Sequence, residues 1–150
     1  PWLSSAVETV KRLVREISVH IPVNKIYIMG FSQGTCLALE FAARFPAAYA
    51  GIAAFSGGLI GEKVNPEKYN GSFSSARVFI GNSDADPYIP VARTSESAEI
   101  LKYLDANVIY RIYPGMGHTI TDQEINDVKD FMFPFPVFPQ EGKVPTHNVP

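Results

Sequence analysis

The stretch "YIMGFSQGTCLALEFAARFP", residues 27 to 46, decides how this chain folds. Together with Lys25 and Ile26 its first part reads "KIYIMGF", with apolar side chains on both faces, the pattern of a parallel strand covered by helices. From Thr35 to Phe45 the spacing turns helical, and Pro46 stops it. Ser32 stands between the two, bracketed by Gly30 and Gly34. A turn this tight holds its serine in a strained backbone conformation, and neighbouring side chains are expected to clash where Gly30 and Gly34 sit. The turn also lifts the hydroxyl above the sheet, at a helix N-terminus whose partial positive charge favours a developing anion.

Working outward, Ala6, Val7, Val10, Leu13, Val14 and Ile17 recur at helical spacing and predict an amphipathic helix over 5–18, with Ser4 or Ser5 as N-cap. Downstream, "AGIAAFS" (50–56) is a second strand ending before Gly57 and Gly58. Residues 59–75 carry Pro66 and Gly71 and read as loop. "ARVFIG" (76–81) is a third strand, and Pro90 opens a helix to about Leu104. "NVIYRIY" (107–113) is a fourth strand. "TDQE" (121–124) is a capping-box pattern that opens a last helix to about Phe131. Strands alternating with helices predict an α/β fold with a mainly parallel sheet.

Composition excludes several function classes. The chain has 150 residues, 46% hydrophobic and 19% charged, which fits one soluble globular domain with a sizeable core. A net charge of −2 gives no electrostatic case for nucleic acid or an anionic membrane surface. No apolar run approaches the roughly 20 residues that span a bilayer. "PWLSSAVETVKRLVREI" lacks both the basic and the apolar region of a signal peptide. The single cysteine, Cys36, cannot form an internal disulfide and fits a reducing, cytoplasmic compartment. His20, His118 and His147 lie far apart without further Cys or His partners, so no metal site is expected.

In parallel sheets, reactive groups gather at the carboxyl ends of the strands. Ser32 follows the first strand, Asp84 and Asp86 the third, and His118 the fourth. "GFSQG" fits Gly-x-Ser-x-Gly, the nucleophile elbow, and Ser…Asp…His is the chain order of α/β-hydrolases. A serine hydroxyl needs a base to become nucleophilic. His118 can take its proton while a carboxylate fixes the imidazole's tautomer. Asp86 is expected in that role rather than Asp84, because Pro87 stiffens its turn and it lies further from the strand, where a loop can reach a histidine. The backbone N–H of Gln33 is one oxyanion donor. Other residues have plainer readings. Cys36 is a small buried apolar residue, His20 a loop residue, Met116 a loop-packing residue, and Asp122 and Glu124 cap a helix. Ser56 is either pocket floor or ordinary turn.

"GFSQG", "DPYIP" (86–90) and "YPGMGH" (113–118) together resemble the phospholipase/carboxylesterase branch of the α/β-hydrolases, which includes the acyl-protein thioesterases. The resemblance runs from about Val7 to Phe131. It implies an α/β-hydrolase fold, a Ser32–His118–Asp86 triad, no cofactor, and a small acyl ester or thioester as substrate. Thr35 departs from the family's usual glycine at that position. The family also places several strands before the elbow strand, and a loop among them supplies a second oxyanion N–H. Residues 1–133 therefore correspond to the C-terminal portion of a hydrolase domain, followed by a Pro- and aromatic-rich tail at 134–150. On this sequence, residues 25–31 would form an unpaired edge, so a missing N-terminal segment or a homo-oligomer is expected to cover it. A rival reading of another class is a catalytically impaired module that binds or assembles.

Overall fold

The computed structural model describes residues 2–61 and 65–134. In chain order they form α1 (Trp2–Ser18), β1 (Tyr27–Phe31), α2 (Gln33–Arg44), β2 (Gly51–Phe55), β3 (Arg77–Ser83), α3 (Val91–Tyr103), β4 (Asn107–Tyr113) and α4 (Asp122–Met132). The strands are all parallel and lie side by side in the order β1-β2-β3-β4. Alternation along each strand sorts the core into two layers. Ile52, Ala54, Val78 and Ile80 face one side, where they meet Val7 of α1, Leu39 and Phe41 of α2, and Leu101 of α3. Ala53, Phe55, Phe79 and Tyr113 face the other, against Val128 and Met132 of α4. Leu39, Ile52, Phe79, Ile80 and Leu101 are fully buried, each worth about 1.5–3 kcal/mol relative to exposure.

Several boundaries differ from the sequence expectation. Helix α1 begins at Trp2 rather than residue 5, so Ser4 and Ser5 lie inside its first turns and cap nothing. The reason is Leu3, which packs on the first layer together with Val10 and Val14 and carries the apolar stripe one turn upstream. Strand β3 runs on past Gly81, because Asn82 and Ser83 still pair with Ile112 and Tyr113. Pro90 is the N-cap of α3 and not its first residue. The capping box at Thr121 and Glu124 is formed in both directions.

The polar connection after β2 is pinned from α2. Buried Glu40 accepts from the Ile60 N–H at 3.2 Å and the Tyr69 hydroxyl at 3.1 Å, and pairs with Arg44 at 2.6 Å. Each carboxylate oxygen thus has a donor, which a buried charge requires. Strand β1 is the sheet's edge among the described residues. On the α4 side it leaves Tyr27, Met29 and Phe31 exposed at 45%, 67% and 39%. The Tyr27 ring meets Phe133 there, with centroids 5.1 Å apart. The tail read from the sequence lies, beyond Pro134, outside the described residues.

Candidate active site

Register brings the strand ends together. Phe31 pairs with Phe55, Phe55 with Gly81, and Ser83 with Tyr113. Ser32, the loop after β3 and the loop after β4 therefore share one edge of the sheet.

Ser32 sits between β1 and α2 at φ 54° and ψ −120°. A non-glycine residue held at such a positive φ costs about 1–3 kcal/mol, so its surroundings must over-determine it. The Ser32 N–H donates to the Phe55 carbonyl at 2.9 Å, and its own carbonyl accepts from the Cys36 N–H at 3.1 Å. Gly30 is required by close approach, since a Cβ there would stand 2.4 Å from the Gly34 carbonyl carbon and 2.5 Å from the Thr35 nitrogen. Gly34 corrects the sequence expectation. A Cβ at that position meets nothing within 4 Å. Gly34 instead borders an apolar hollow of about 550 Å³ shared with Trp2, Leu3, Leu37 and Ile60.

Thr35 shows what replaces the usual glycine of this position. Its buried hydroxyl accepts from the Phe55 N–H at 2.9 Å and lies 2.7 Å from the Phe55 carbonyl and against the Gly30 carbonyl, tying the ends of β1 and β2 together. Gly57 makes room for it, because a Cβ there would fall 2.6 Å from Thr35 Cβ. The elbow accommodates the larger residue without moving Ser32 out of line.

His118 reaches both partners. Its Nε2 is 2.9 Å from Ser32 Oγ and its Nδ1 is 2.8 Å from Asp86 Oδ2. The Asp86 side chain is fully buried, and the imidazole is 18% exposed. Burial by itself would raise the Asp86 pKa. Hydrogen bonds from His118 and from the Tyr88 and Ile89 N–H groups outweigh it, and the carboxyl lies below its ordinary value. An ionised carboxylate only accepts, so Nδ1 carries the proton and Nε2 offers its lone pair to Ser32. Two rings flank the imidazole, Phe31 at 4.9 Å and Tyr88 edge-on at 5.0 Å. Asp84 is not part of this chain of bonds. Its Oδ1 accepts from the Gly115 N–H at 2.7 Å. The Gln33 N–H opens α2 beside Ser32, where a helix's first N–H groups lack intrahelical partners.

Of the other candidates, Cys36 is half-buried rather than buried, and His20 is exposed. Met116 packs on the second core layer. Ser56 is buried at φ 48°, and its Oγ has no partner among the described residues. Sequence reading missed the two rings on His118. The signal for them was local, since Phe31 precedes the elbow serine and Tyr88 follows Asp86 by two residues. Between β1 and α4, Met29, Phe31, Phe55, Val128 and Phe133 line a second apolar hollow of about 440 Å³. Among the described residues, no group of side chains could hold a metal ion, and no helix is long and apolar enough to cross a membrane.

A parallel sheet that presents a serine on a strand-to-helix turn, with an aspartate and a histidine on later strand ends, has the α/β-hydrolase fold. Within that class, this chain belongs to the phospholipase/carboxylesterase family, whose model matches residues 3–133. Acyl-protein thioesterase 1 of Neurospora crassa is 32% identical over an alignment of 123 residues that covers 79% of this chain and 49% of that protein. Acyl-protein thioesterase 1 of Saccharomyces cerevisiae is 31% identical over an alignment of 134 residues that covers 87% of this chain and 57% of that protein. The crystal structure of a phospholipase/carboxylesterase from Dyadobacter fermentans matches with a TM-score of 0.85 at 44% identity, over 88% of this chain and 64% of that one. The chain spans about half the length of the curated relatives it matches.

Proposed function

We propose that this protein is a serine hydrolase that cleaves carboxylic ester or thioester bonds through an acyl-enzyme. The observation that carries the reading is the unbroken line from Ser32 Oγ through His118 to buried Asp86, with bonds of 2.9 and 2.8 Å. Ser32 Oγ attacks the acyl carbon as His118 Nε2 takes its proton, and the carbonyl oxygen becomes an oxyanion beside the Gln33 N–H. Collapse of that intermediate expels the alkoxide or thiolate, which receives the proton from Nε2. Water then repeats the cycle against the acyl-serine, releasing the acid and restoring the hydroxyl. Asp86 holds the imidazole in the tautomer that both half-reactions need. No cofactor enters these steps. Relatives named as acyl-protein thioesterases favour a thioester among the substrates. One cysteine fits work in the cytoplasm.

The test is hydrolysis of a short-chain p-nitrophenyl ester together with labelling by a fluorophosphonate, which reacts with an activated serine and not with an ordinary one. Ser32→Ala removes both while the protein stays folded. His118→Ala adds little on top of Ser32→Ala, because members of a triad act as a unit. A Ser32→Ala protein that keeps most of its turnover overturns the assignment. A parent that takes up no fluorophosphonate favours the binding or assembly module instead.

A further inference from the structure

The loops that carry Asp86 and His118 are stapled together by groups outside the triad. Ser83, buried at the end of β3, accepts from the Gly117 N–H at 3.0 Å and from the Ala85 N–H at 3.1 Å through its Oγ. Asp84 accepts from the Gly115 N–H at 2.7 Å. One acceptor is the last residue of β3 and the other the first residue after it, and the Gly115 and Gly117 donors flank Met116 just before His118.

That segment needs holding. Gly115 and Gly117 sit at φ 69° and 76°, a conformation that side chains disfavour, and glycines have the most backbone freedom to lose. The Met116 N–H reaches the Tyr113 carbonyl only at 3.4 Å. Yet the imidazole must meet Ser32 and Asp86 at its two ends at once, within 2.9 and 2.8 Å. Because Asp84 lies on the same loop as Asp86, it fixes the histidine's approach relative to its carboxylate, while Ser83 ties the segment to the end of β3.

We propose that Asp84, seconded by Ser83, is a positioning residue that sets the His118 imidazole between Asp86 and Ser32. The kinetic consequence rests on the hydrolase reading above, whereas the geometric claim does not. What Asp84 supplies is an acceptor at Oδ1 rather than a charge. Asparagine keeps such an acceptor and alanine does not. Asp84 is exposed, so water can take over the abandoned Gly115 N–H and the fold survives its loss.

The experiment compares Asp84→Ala, Asp84→Asn and Ser83→Ala with the parent chain by kcat, KM, melting temperature and the far-downfield proton resonance of His118 Nδ1–H, which reports the bond to Asp86 without turnover. Asp84→Ala lowers kcat by about ten- to a hundredfold with KM changed less than about twofold, the signature of misplaced catalytic groups. It also broadens the resonance, while the melting temperature holds. Asp84→Asn restores the resonance and most of kcat, and Ser83→Ala lowers kcat and broadens the resonance like Asp84→Ala but also melts lower, because its buried Oγ is the acceptor of two N–H groups. If Asp84→Ala does not fold, Asp84→Ser, too short to reach Gly115, takes its place. A sharp resonance and full kcat in the alanine variant overturn the proposal, as does an asparagine variant as impaired as alanine. Turnover that survives Ser32→Ala sinks the hydrolase reading alone, since the resonance still decides the positioning.

Discussion

Alanine placed at the two elbow glycines should have opposite effects. At Gly30 the new Cβ would stand 2.4–2.5 Å from the Gly34 carbonyl group and the Thr35 nitrogen, all backbone atoms that no rotamer change can move. Reaching ordinary contact means separating the end of β1 from the first turn of α2 by roughly 1 Å, an overpacking expected to cost about 3 kcal/mol or more. At about 2–4 °C per kcal/mol for a chain of this size, the melting temperature falls by about 6–12 °C. Ser32 lies between the two parts that separate, and a misplacement of about 1 Å can cost about a hundredfold in rate. At Gly34 a Cβ meets nothing within 4 Å. The same substitution there stabilises the helix by about 0.4–1 kcal/mol, chiefly by restricting the unfolded chain. Thermal melts of both variants, with fluorophosphonate labelling rates, make the comparison. The steric reasoning fails if Gly30→Ala melts with the parent and labels as fast. A destabilised Gly34→Ala would mean that another group occupies the space beside Gly34.

Asp86→Asn should lower kcat by about four orders of magnitude, because the amide permits the wrong imidazole tautomer; a loss no greater than that of Asp84→Asn, read at saturating ester, would reverse the assignment. Glu124 should make stability depend on pH. Its carboxyl is raised above its ordinary value by burial first, with a backbone hydrogen bond from Thr121 opposing and Asp127 adding to the rise, and one oxygen has no partner among the described residues. The folded state therefore holds this proton more tightly than the unfolded chain, and stability drains as pH rises from the usual carboxyl range through the folded pKa. Glu124→Gln, which can still accept from the Thr121 N–H, should gain over the parent in urea midpoint at pH 7 and lose that gain near pH 4; an advantage that grows toward low pH would contradict the sign. Met29→Lys tests the edge strand: the 150-residue chain should run as oligomers on size-exclusion chromatography and the lysine variant as a smaller species, while a monomeric parent would count against an adhesive edge.

The sheet could be read in advance because each strand is short and rich in apolar residues, and all but β2 are followed by a helical period. "KIYIMGF" and "NVIYRIY" carried that signal without any contact information. The meeting of Ser32, His118 and Asp86 was legible for a related reason. Parallel topology sends every strand's carboxyl end to one edge, so three chemically apt residues after three strands are neighbours wherever the loops allow. The choice of Asp86 over Asp84 depended on loop reach, and the structure separates the two by what each accepts from: an imidazole and two N–H groups for Asp86, the Gly115 N–H for Asp84. The open space beside Gly34 was not legible, because a glycine needed for close approach and one facing a hollow look the same in a motif. Nor was the pairing of Thr35 with Gly57, a long-range match between a helix's first turn and the residue two beyond β2. The start of α1 was misjudged because the serines after Leu3 resemble caps, whereas the packing of Leu3 on the core outweighs a capping preference of about 1 kcal/mol.

The parts of this site do not depend equally on the sheet described. Ser32, Asp86 and His118 follow β1, β3 and β4, and β2 joins them through the bonds from Phe55 to Ser32 and Thr35. Among the described residues, Ser32, His118 and Asp86 bond to one another and to groups after β1. The oxyanion is different. The Gln33 N–H is one donor, the resemblance to the family assigns the second to a loop preceding the elbow strand, and losing a donor of this kind costs about 100- to 1,000-fold in kcat. Relay and turnover should therefore come apart in these 150 residues studied alone. The Nδ1–H resonance of His118 should be sharp and should vanish in Asp86→Ala, while ester hydrolysis stays weak and still disappears in Ser32→Ala. Vigorous hydrolysis would place a second donor among these residues. A missing resonance in a folded chain would mean that β1 to β4 and their loops do not by themselves hold the relay.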